Sequence, residues 1–576
     1  MARNFLIAFA APLALAACTT REAPALENPA LTNIDPAAHS SGVVSAADPR
    51  AAEAGAQMLR QGGSSTDAAI ATMLALTVVE PQSSGIGGGG FYVRGTSDGQ
   101  VATLDGRETA PAAATPDWFL GEDGNPVPFP QAVLTGLSIG VPGNIRLAEQ
   151  AHDRFGRLEW AQLFQPAIAL ARDGFVITER FREYLQRSPN RAGNVEAGRA
   201  LFYDAAGEPL PVGTLVRNPA LAATLERIAT EGPDSFYTGM HGRAMAQVIA
   251  DATPGAADMS ATDIASYRAL WRESPCGTYR QYRICGMGPP SSGATTVFAI
   301  LKQLEGFDMG ALGPASPTAW HLFAESQRLA YADRELYLAD DDFVSVPVAG
   351  LMDGNYLRER GTLISADRTL QIVSAGTPPG TRAIMADGAE PVESGTSHFV
   401  AVDQWGAAVS WTSTVEGSFG SGHMYGGFYL NNELTDFSFV PQRDGIPVAN
   451  RVEGSKRPRS SMSPTLVYGP DGELVMAVGA AGGSTIPVQV ARVLIGVIDW
   501  GLPLDRALAL PVLYSPGDTI VLEEGSSLLA MQPALEALGH KVMARGLPLK
   551  TNAAILVDGS WVGGADPRSE GVAIIP

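Results

Sequence analysis

Gly395-Thr396-Ser397-His398-Phe399-Val400-Ala401-Val402-Asp403 sets a glycine and a threonine at the head of an alternating run deep inside a 576-residue chain. A cut between Gly395 and Thr396 would leave one residue carrying a hydroxyl and a free amine, a nucleophile with its own base. The surrounding residues extend this reading. The alternation predicts a strand over 396–402, then a type I turn at Asp403-Gln404-Trp405-Gly406 with the glycine left-handed, then a returning strand over 407–414. In that hairpin Asp403 faces Ala407, so Thr414 lies opposite Thr396. Cross-strand hydroxyl pairs are common in sheets for packing reasons alone; the sharper expectation is that Thr414 hydrogen-bonds and orients the Thr396 hydroxyl.

The composition, 45% hydrophobic and 17% charged, is that of a chain with an extensive core, and the length allows about two to four domain-sized units. With 60 acidic and 40 basic residues the formal charge is −20, which repels phosphate backbones and makes nucleic acid an unexpected partner.

Residues 1–17 read as a signal peptide: Arg3 supplies the positive charge, and residues 5–17 form an apolar run too short to span a bilayer. Leu15-Ala16-Ala17-Cys18 resembles a bacterial lipobox, in which Cys18 is acylated and becomes the mature terminus; an ordinary secretory peptide cleaved nearby is the alternative. Thr19 rather than Asp follows, which predicts anchoring to the outer membrane with the protein in the periplasm. Residues 18–40, rich in Ala, Pro and Asn, read as a tether. The other two cysteines, Cys276 and Cys285, flank Arg280-Gln281. A two-residue hairpin loop there would set them opposite each other at disulfide distance; two buried thiols are the alternative.

Apolar spacing predicts a helical hairpin over 48–61 and 66–79, with Asp48 and Ser65 as N-caps, and helices over 144–155, 160–173, 219–231, 318–338, 488–500 and 527–538. The glycines of Gly85-Ile-Gly-Gly-Gly-Gly-Phe-Tyr-Val lead into a strand with no Lys-Ser/Thr after them, which argues against a phosphate cradle. Residues 375–395 lack periodicity and read as an exposed connector. After Thr396 the pattern turns to strands, as two subunits from one precursor would show.

Three motifs follow downstream: Leu430-Asn-Asn-Glu-Leu-Thr-Asp-Phe-Ser438, Lys456-Arg-Pro-Arg-Ser-Ser-Met-Ser-Pro464 and Gly479-Ala-Ala-Gly-Gly-Ser484. Upstream stand Leu104-Asp-Gly-Arg107-Glu-Thr-Ala-Pro111, Gly288-Pro-Pro-Ser-Ser-Gly293 and Tyr331-Ala-Asp-Arg334. With the threonine segment, this ordered set closely resembles the γ-glutamyltranspeptidase (glutathione hydrolase) family of N-terminal nucleophile hydrolases. The resemblance implies an α+β fold, a four-layer αββα sandwich, made as one precursor. That precursor would cleave itself at Gly395-Thr396 into a large subunit (41–395) and a small catalytic subunit (396–576) forming one unit. Gly395 is expected to tolerate the strained backbone that self-attack needs.

The resemblance also assigns roles. Thr396 is the nucleophile and Thr414 its orienting partner; Gly482 and Gly483 supply oxyanion-hole amides. Arg107, helped by Ser460 and Ser461, holds the substrate α-carboxylate, and Glu433 and Asp436 hold its α-ammonium group. Glu416 departs from the family, where asparagine is common two residues after the second threonine. It adds a third carboxylate, which strengthens attraction for a cation or raises the pKa of one acid by repulsion. The segment 438–455 is shorter than the tyrosine-bearing lid of some members. No cofactor or metal is expected. The partners are a γ-glutamyl donor and an amino acid or peptide acceptor. Two other readings stand beside this one: a glutaryl (cephalosporin-type) acylase on the same scaffold, and a non-catalytic peptide-binding lipoprotein.

Overall fold

Alternate residues of strand Ser397–Val402 face two different layers. Phe399 and Ala401 pack into one apolar cluster with the helices Pro49–Arg60 and Ser65–Val79, whereas Val400 and Val402 belong to another, with Leu466, Met476, Val478 and Ala553. A strand buried on both faces in this way is the middle of a stack. The computed structural model describes Met1 and residues 42–253, 259–382, 385–388 and 395–576. The rest of the signal peptide, Cys18 and the tether therefore lie outside the described residues.

The first sheet has seven strands in the order Val572–Ile574, Val43–Ala46, Ser397–Val402, Ala408–Thr414, Gly89–Gly95, Val101–Gly106 and Leu270–Arg272. The second has six, in the order Ser560–Ala565, Lys550–Val557, Leu474–Ala481, Thr465–Tyr468, Tyr282–Gly286 and Cys276–Tyr279. Every pairing within these two sheets is antiparallel. Helices Gly293–Gln303, Pro317–Tyr337 and Ile486–Ile498 cover the outer face of the second sheet. The layers therefore run helix, sheet, sheet, helix, the αββα sandwich expected from the motifs. Each sheet contains strands from both sides of Gly395-Thr396, and Ser40–Pro576 is one compact unit rather than the several its length allows. Among the described residues no helix is long and apolar enough to cross a membrane.

Local signals worked where the chain supplied its own hydrogen-bond partners. The turn forms as read: Asp403 N donates to Ala407 O at 3.0 Å and Gly406 has φ +78°. Helix Pro49–Arg60 is capped by Asp48, but helix Ser65–Val79 is capped by Ser64, not Ser65. Ser64 and Asp67 form a reciprocal capping box, while Ser65 N donates to Asp403 Oδ2 at 2.9 Å. The expected helix over 160–173 is broken at Phe164 into Trp160–Leu163 and Gln165–Asp173, because Pro166 has no N–H to continue the ladder. The hairpin at Arg280-Gln281 pairs Cys276 with Cys285, and the two are joined by a disulfide on the sheet's edge strand. The stretch after residue 375 is partly exposed in its described parts, yet Gly395 and Thr396 are buried. They sit at the head of an inner strand rather than on a surface connector.

Candidate active site

Strand register delivers the two threonines to each other. Ser413 pairs with Ser397, and one residue further out Thr396 Oγ1 donates to Thr414 Oγ1 at 3.2 Å. Thr414 Oγ1 also accepts from Glu416 N at 2.8 Å. The steric division of labour differs from the sequence expectation. A Cβ on Gly395 would lie 2.0 Å from the Glu416 carbonyl oxygen, so glycine is needed there for close approach. The unusual backbone belongs to Thr396, at φ +134°, where a β-branched residue stores on the order of 1–3 kcal/mol.

A charged pocket lies behind this pair. Arg107, buried at the end of strand Val101–Gly106, pairs through Nη1 with Glu433 and through Nη2 with Asp436. The two acids flank one 3₁₀ turn, Glu433–Asp436, whose three-residue repeat puts both carboxylates on the same side. Asn431 anchors that turn, accepting from Glu433 N at 3.0 Å and donating to Gly87 O and Gly140 O. Arg107 Nη2 also donates to Arg459 O at 2.7 Å and Nε to Pro458 O at 3.2 Å. The contact of Arg107 with the serine motif is thus through backbone carbonyls. Ser461 Oγ accepts from Arg334 at 2.7 Å and Ser460 Oγ from Met462 N at 3.2 Å.

Glu416 is buried at φ +71°, and its carboxylate accepts from Asn432 Nδ2. Burial, and after it the charge of Asp436, push its carboxyl up to about 8. Repulsion therefore contributes as expected, but desolvation is the larger cause. Sequence reasoning missed Glu108, although it lies inside the quoted arginine motif. Gly89 pairs with Thr414, and a Cβ on Gly89 would meet Glu108 Oε2 at 2.6 Å, so this acid lies directly under the threonine pair. Among the described residues neither Glu108 oxygen has a hydrogen-bond partner, and Glu433 Oε2 has none. Burial pushes Glu108 up to about 8 against the pull of Arg107, and burial likewise raises Glu433 well above the carboxylate range. Glu108, Glu416 and Glu433 thus all sit within reach of the Arg107 charge, and Arg191 adds a second positive charge beside Glu416.

The expected oxyanion glycines end strand Leu474–Ala481. Gly482 has φ +130° and Gly483 φ +59°, just ahead of helix Ile486–Ile498. A Cβ on Gly482 would fall 2.1 Å from Pro548 O. A second network missed in the sequence ties this corner to the threonines. Ser397 Oγ donates to Glu80 at 2.6 Å, Glu80 pairs with Lys550 Nζ at 2.8 Å, and Lys550 pairs across the sheet with Ala481, next to Gly482. Burial alone would raise Glu80, yet the charges of Lys550 and Arg180 with the Lys550 and Ser397 hydrogen bonds hold it below its ordinary value. Burial lowers Lys550. No local pattern announces such a pair. Beside Gly482 opens a cavity of about 580 Å³, lined among others by Ser484, Tyr331, Tyr514, Arg443 and Arg545. Among the described residues no cluster of His, Cys, Asp and Glu is placed to hold a metal.

Comparisons with known proteins agree with this geometry. The chain is similar to a glutathione hydrolase proenzyme of Bacillus subtilis, 35% identical over 92% of this chain and 91% of that protein. It is as similar to the acylase ACY 1 proenzyme of a Pseudomonas strain, 35% identical over 94% of each. The cephalosporin acylase structure from Bacillus halodurans superposes with a TM-score of 0.82 at 25% identity, covering 96% of this chain and 99% of that one. The family model for gamma-glutamyltranspeptidase matches residues 51–575, and the chain belongs to that family.

Proposed function

We propose that this chain is the precursor of a γ-glutamyl hydrolase and transferase whose nucleophile is Thr396. The observation that carries the proposal is the exchange of partners offered by the buried set Arg107, Glu433 and Asp436. A γ-glutamyl head group is a zwitterion. Its carboxylate takes Arg107 and its ammonium takes the two acids that Arg107 releases, so each buried charge leaves one partner for another. A glutaryl group supplies only the carboxylate and strands Glu433 and Asp436 in a dry site, which disfavours the acylase reading despite the equally similar acylase relative.

The chemistry follows from the atoms in hand. In the precursor the Thr396 hydroxyl attacks the Gly395 carbonyl carbon, the C–N bond breaks with its nitrogen taking a proton, and an ester remains. Water then cleaves that ester, releasing the Gly395 carboxylate and restoring the Thr396 hydroxyl beside its free amine. Positive φ at Thr396 supports this direction, because φ is defined through the preceding carbonyl and its strain disappears when that bond is cut. In turnover the amine takes the hydroxyl proton and the oxygen attacks the γ-glutamyl amide. Amides at Gly482 and Gly483 stabilise the oxyanion by about 3 kcal/mol each, and the amine donor leaves with the proton. Water or a second amine resolves the acyl-enzyme. The apolar run before Cys18 supports an envelope address with a lipid anchor, in the periplasm.

Side-by-side hydrolysis of a γ-glutamyl anilide and a glutaryl anilide tests the proposal. The first should be the far better substrate, and Thr396→Ala should abolish both chain cleavage and turnover. A glutaryl preference, or turnover surviving in Thr396→Ala, overturns it.

A further inference from the structure

We infer that Arg191, which no motif singled out, is a positioning residue for head-group selection: it is the counter-charge that lets Glu416 meet the substrate ammonium as an anion. The inference rests on the γ-glutamyl reading above and adds to it a residue that stands outside the head-group pocket.

The chain after Thr414 is built around this arginine. Arg191 belongs to the short helix Pro189–Ala192, which follows the helix Glu179–Arg187. A Cβ on Gly417 would lie 1.9 Å from Arg191 Nη1, and one on Gly422 would lie 2.8 Å from the Arg191 carbonyl oxygen, so neither position admits a side chain. The same Gly417 Cβ would stand 3.2 Å from Oδ1 of Asn432, whose amide nitrogen donates to the Glu416 carboxylate. The guanidinium therefore rests on the residue that follows Glu416, beside the amide that holds its carboxylate. Among the described residues the Arg191 side chain forms no hydrogen bond or ion pair, and the one charge that acts on it is that of Glu416. Its outer side lines a cavity of about 340 Å³ with Arg187, Ser188 and Ser418, a cavity that Arg107, Glu433 and Asp436 do not line. Glu416 thus stands between Arg191 and the head-group charges.

That order decides the sign of the effect. Among the described residues Glu416 faces Asp436 and Glu433 on the 3₁₀ turn, Arg107 at the end of its strand, and Arg191. Burial and the two like charges keep a proton on Glu416, and Arg191 helps to remove it. Once that proton leaves, an ammonium in the pocket meets a third carboxylate directly. It feels Arg191 only across that carboxylate, at longer range, so attraction outweighs repulsion. Without Arg191, Glu416 stays neutral and the ammonium loses an anionic partner. A ligand with no ammonium loses nothing.

The test uses the self-cleaved full-length enzyme, with glutamate and glutarate as competing inhibitors of γ-glutamyl anilide hydrolysis near pH 8, where Glu416 titrates. Losing a neighbouring opposite charge moves a carboxyl by about one unit or more, up to about tenfold in its ionised fraction. Arg191→Gln should therefore raise the glutamate inhibition constant about 5- to 10-fold and leave that of glutarate within about twofold. Arg191→Lys should restore most of the glutamate binding. In a Glu416→Asn background Arg191→Gln should change neither constant, because asparagine needs no counter-charge. Arg191→Met, which keeps the aliphatic stem, gives the same readings should the glutamine variant fail to fold. A neutral variant that weakens both ligands equally, that tightens glutamate, or that acts unchanged beside Glu416→Asn overturns the inference alone. A wild type that binds glutarate as well as glutamate overturns the γ-glutamyl reading and the inference with it.

Discussion

Replacing Thr414 by valine isolates what the hydroxyl pair contributes. Valine keeps the shape of threonine and removes the oxygen that accepts from both Thr396 Oγ1 at 3.2 Å and Glu416 N at 2.8 Å. Two buried donors then lose their partner, at about 1–3 kcal/mol each. The two losses fall in different places. The orphaned Glu416 amide destabilises the resting fold and loosens the turn that holds Glu416 at positive φ. The Thr396 hydroxyl, no longer aimed, raises the barrier, and 1–3 kcal/mol corresponds to about 5- to 150-fold in rate. A denaturing-gel time course should show chain cleavage slowed within that range, and kcat for a γ-glutamyl anilide should fall in parallel. Thr414→Ser, which keeps the oxygen, should stay close to wild type. A valine variant within twofold of wild type in both assays, or a serine variant that loses as much as valine, would refute an orienting role for Thr414.

Two further outcomes follow from the buried charges. Glu80→Gln and Lys550→Met should each cost about 3–5 kcal/mol, because each leaves a buried charge alone, while the double variant should recover most of the loss. Guanidinium unfolding of the uncleaved Thr396→Ala chain reads this, and single variants losing under about 1 kcal/mol would contradict it. Glu416 gives a pH signature. Its folded pKa of about 8 lies above the unfolded value near 4.5, so the native state keeps a proton the unfolded state has lost. Its contribution is full below the lower value and drains away by about 1.4 kcal/mol per unit as pH rises through that window. Thermal midpoints between pH 5 and 8 should fall less steeply in Glu416→Gln than in wild type, and identical slopes would sink the assignment.

The nucleophile hairpin was legible because all its determinants are local: period-two alternation, an Asp-to-Gly turn, and a register that follows from the turn. The head-group pocket was legible only through motif resemblance. Arg107 and Glu433 lie 326 positions apart, and nothing in either neighbourhood says that they meet. Glu108 shows the limit of motif reading, since it stood within the matched stretch and acquires meaning only from burial and from its place under Gly89. Glu80 and Lys550, 470 positions apart, had no signal at all.

These misses share a physical cause with the site's durability. Ser397–Val402 is paired on one side to Val43–Ala46 and on the other to Ala408–Thr414, which in turn pairs with Gly89–Gly95. On our reading the chain is cut at the head of a strand whose every neighbour holds it in place, and Lys550 to Glu80 crosses between the two products. On that reading, cutting the peptide relieves the strain at Thr396 and leaves these strand pairings in place. The same long-range pairings that hide the pocket from sequence analysis allow a precursor to become a two-chain enzyme without rebuilding its site.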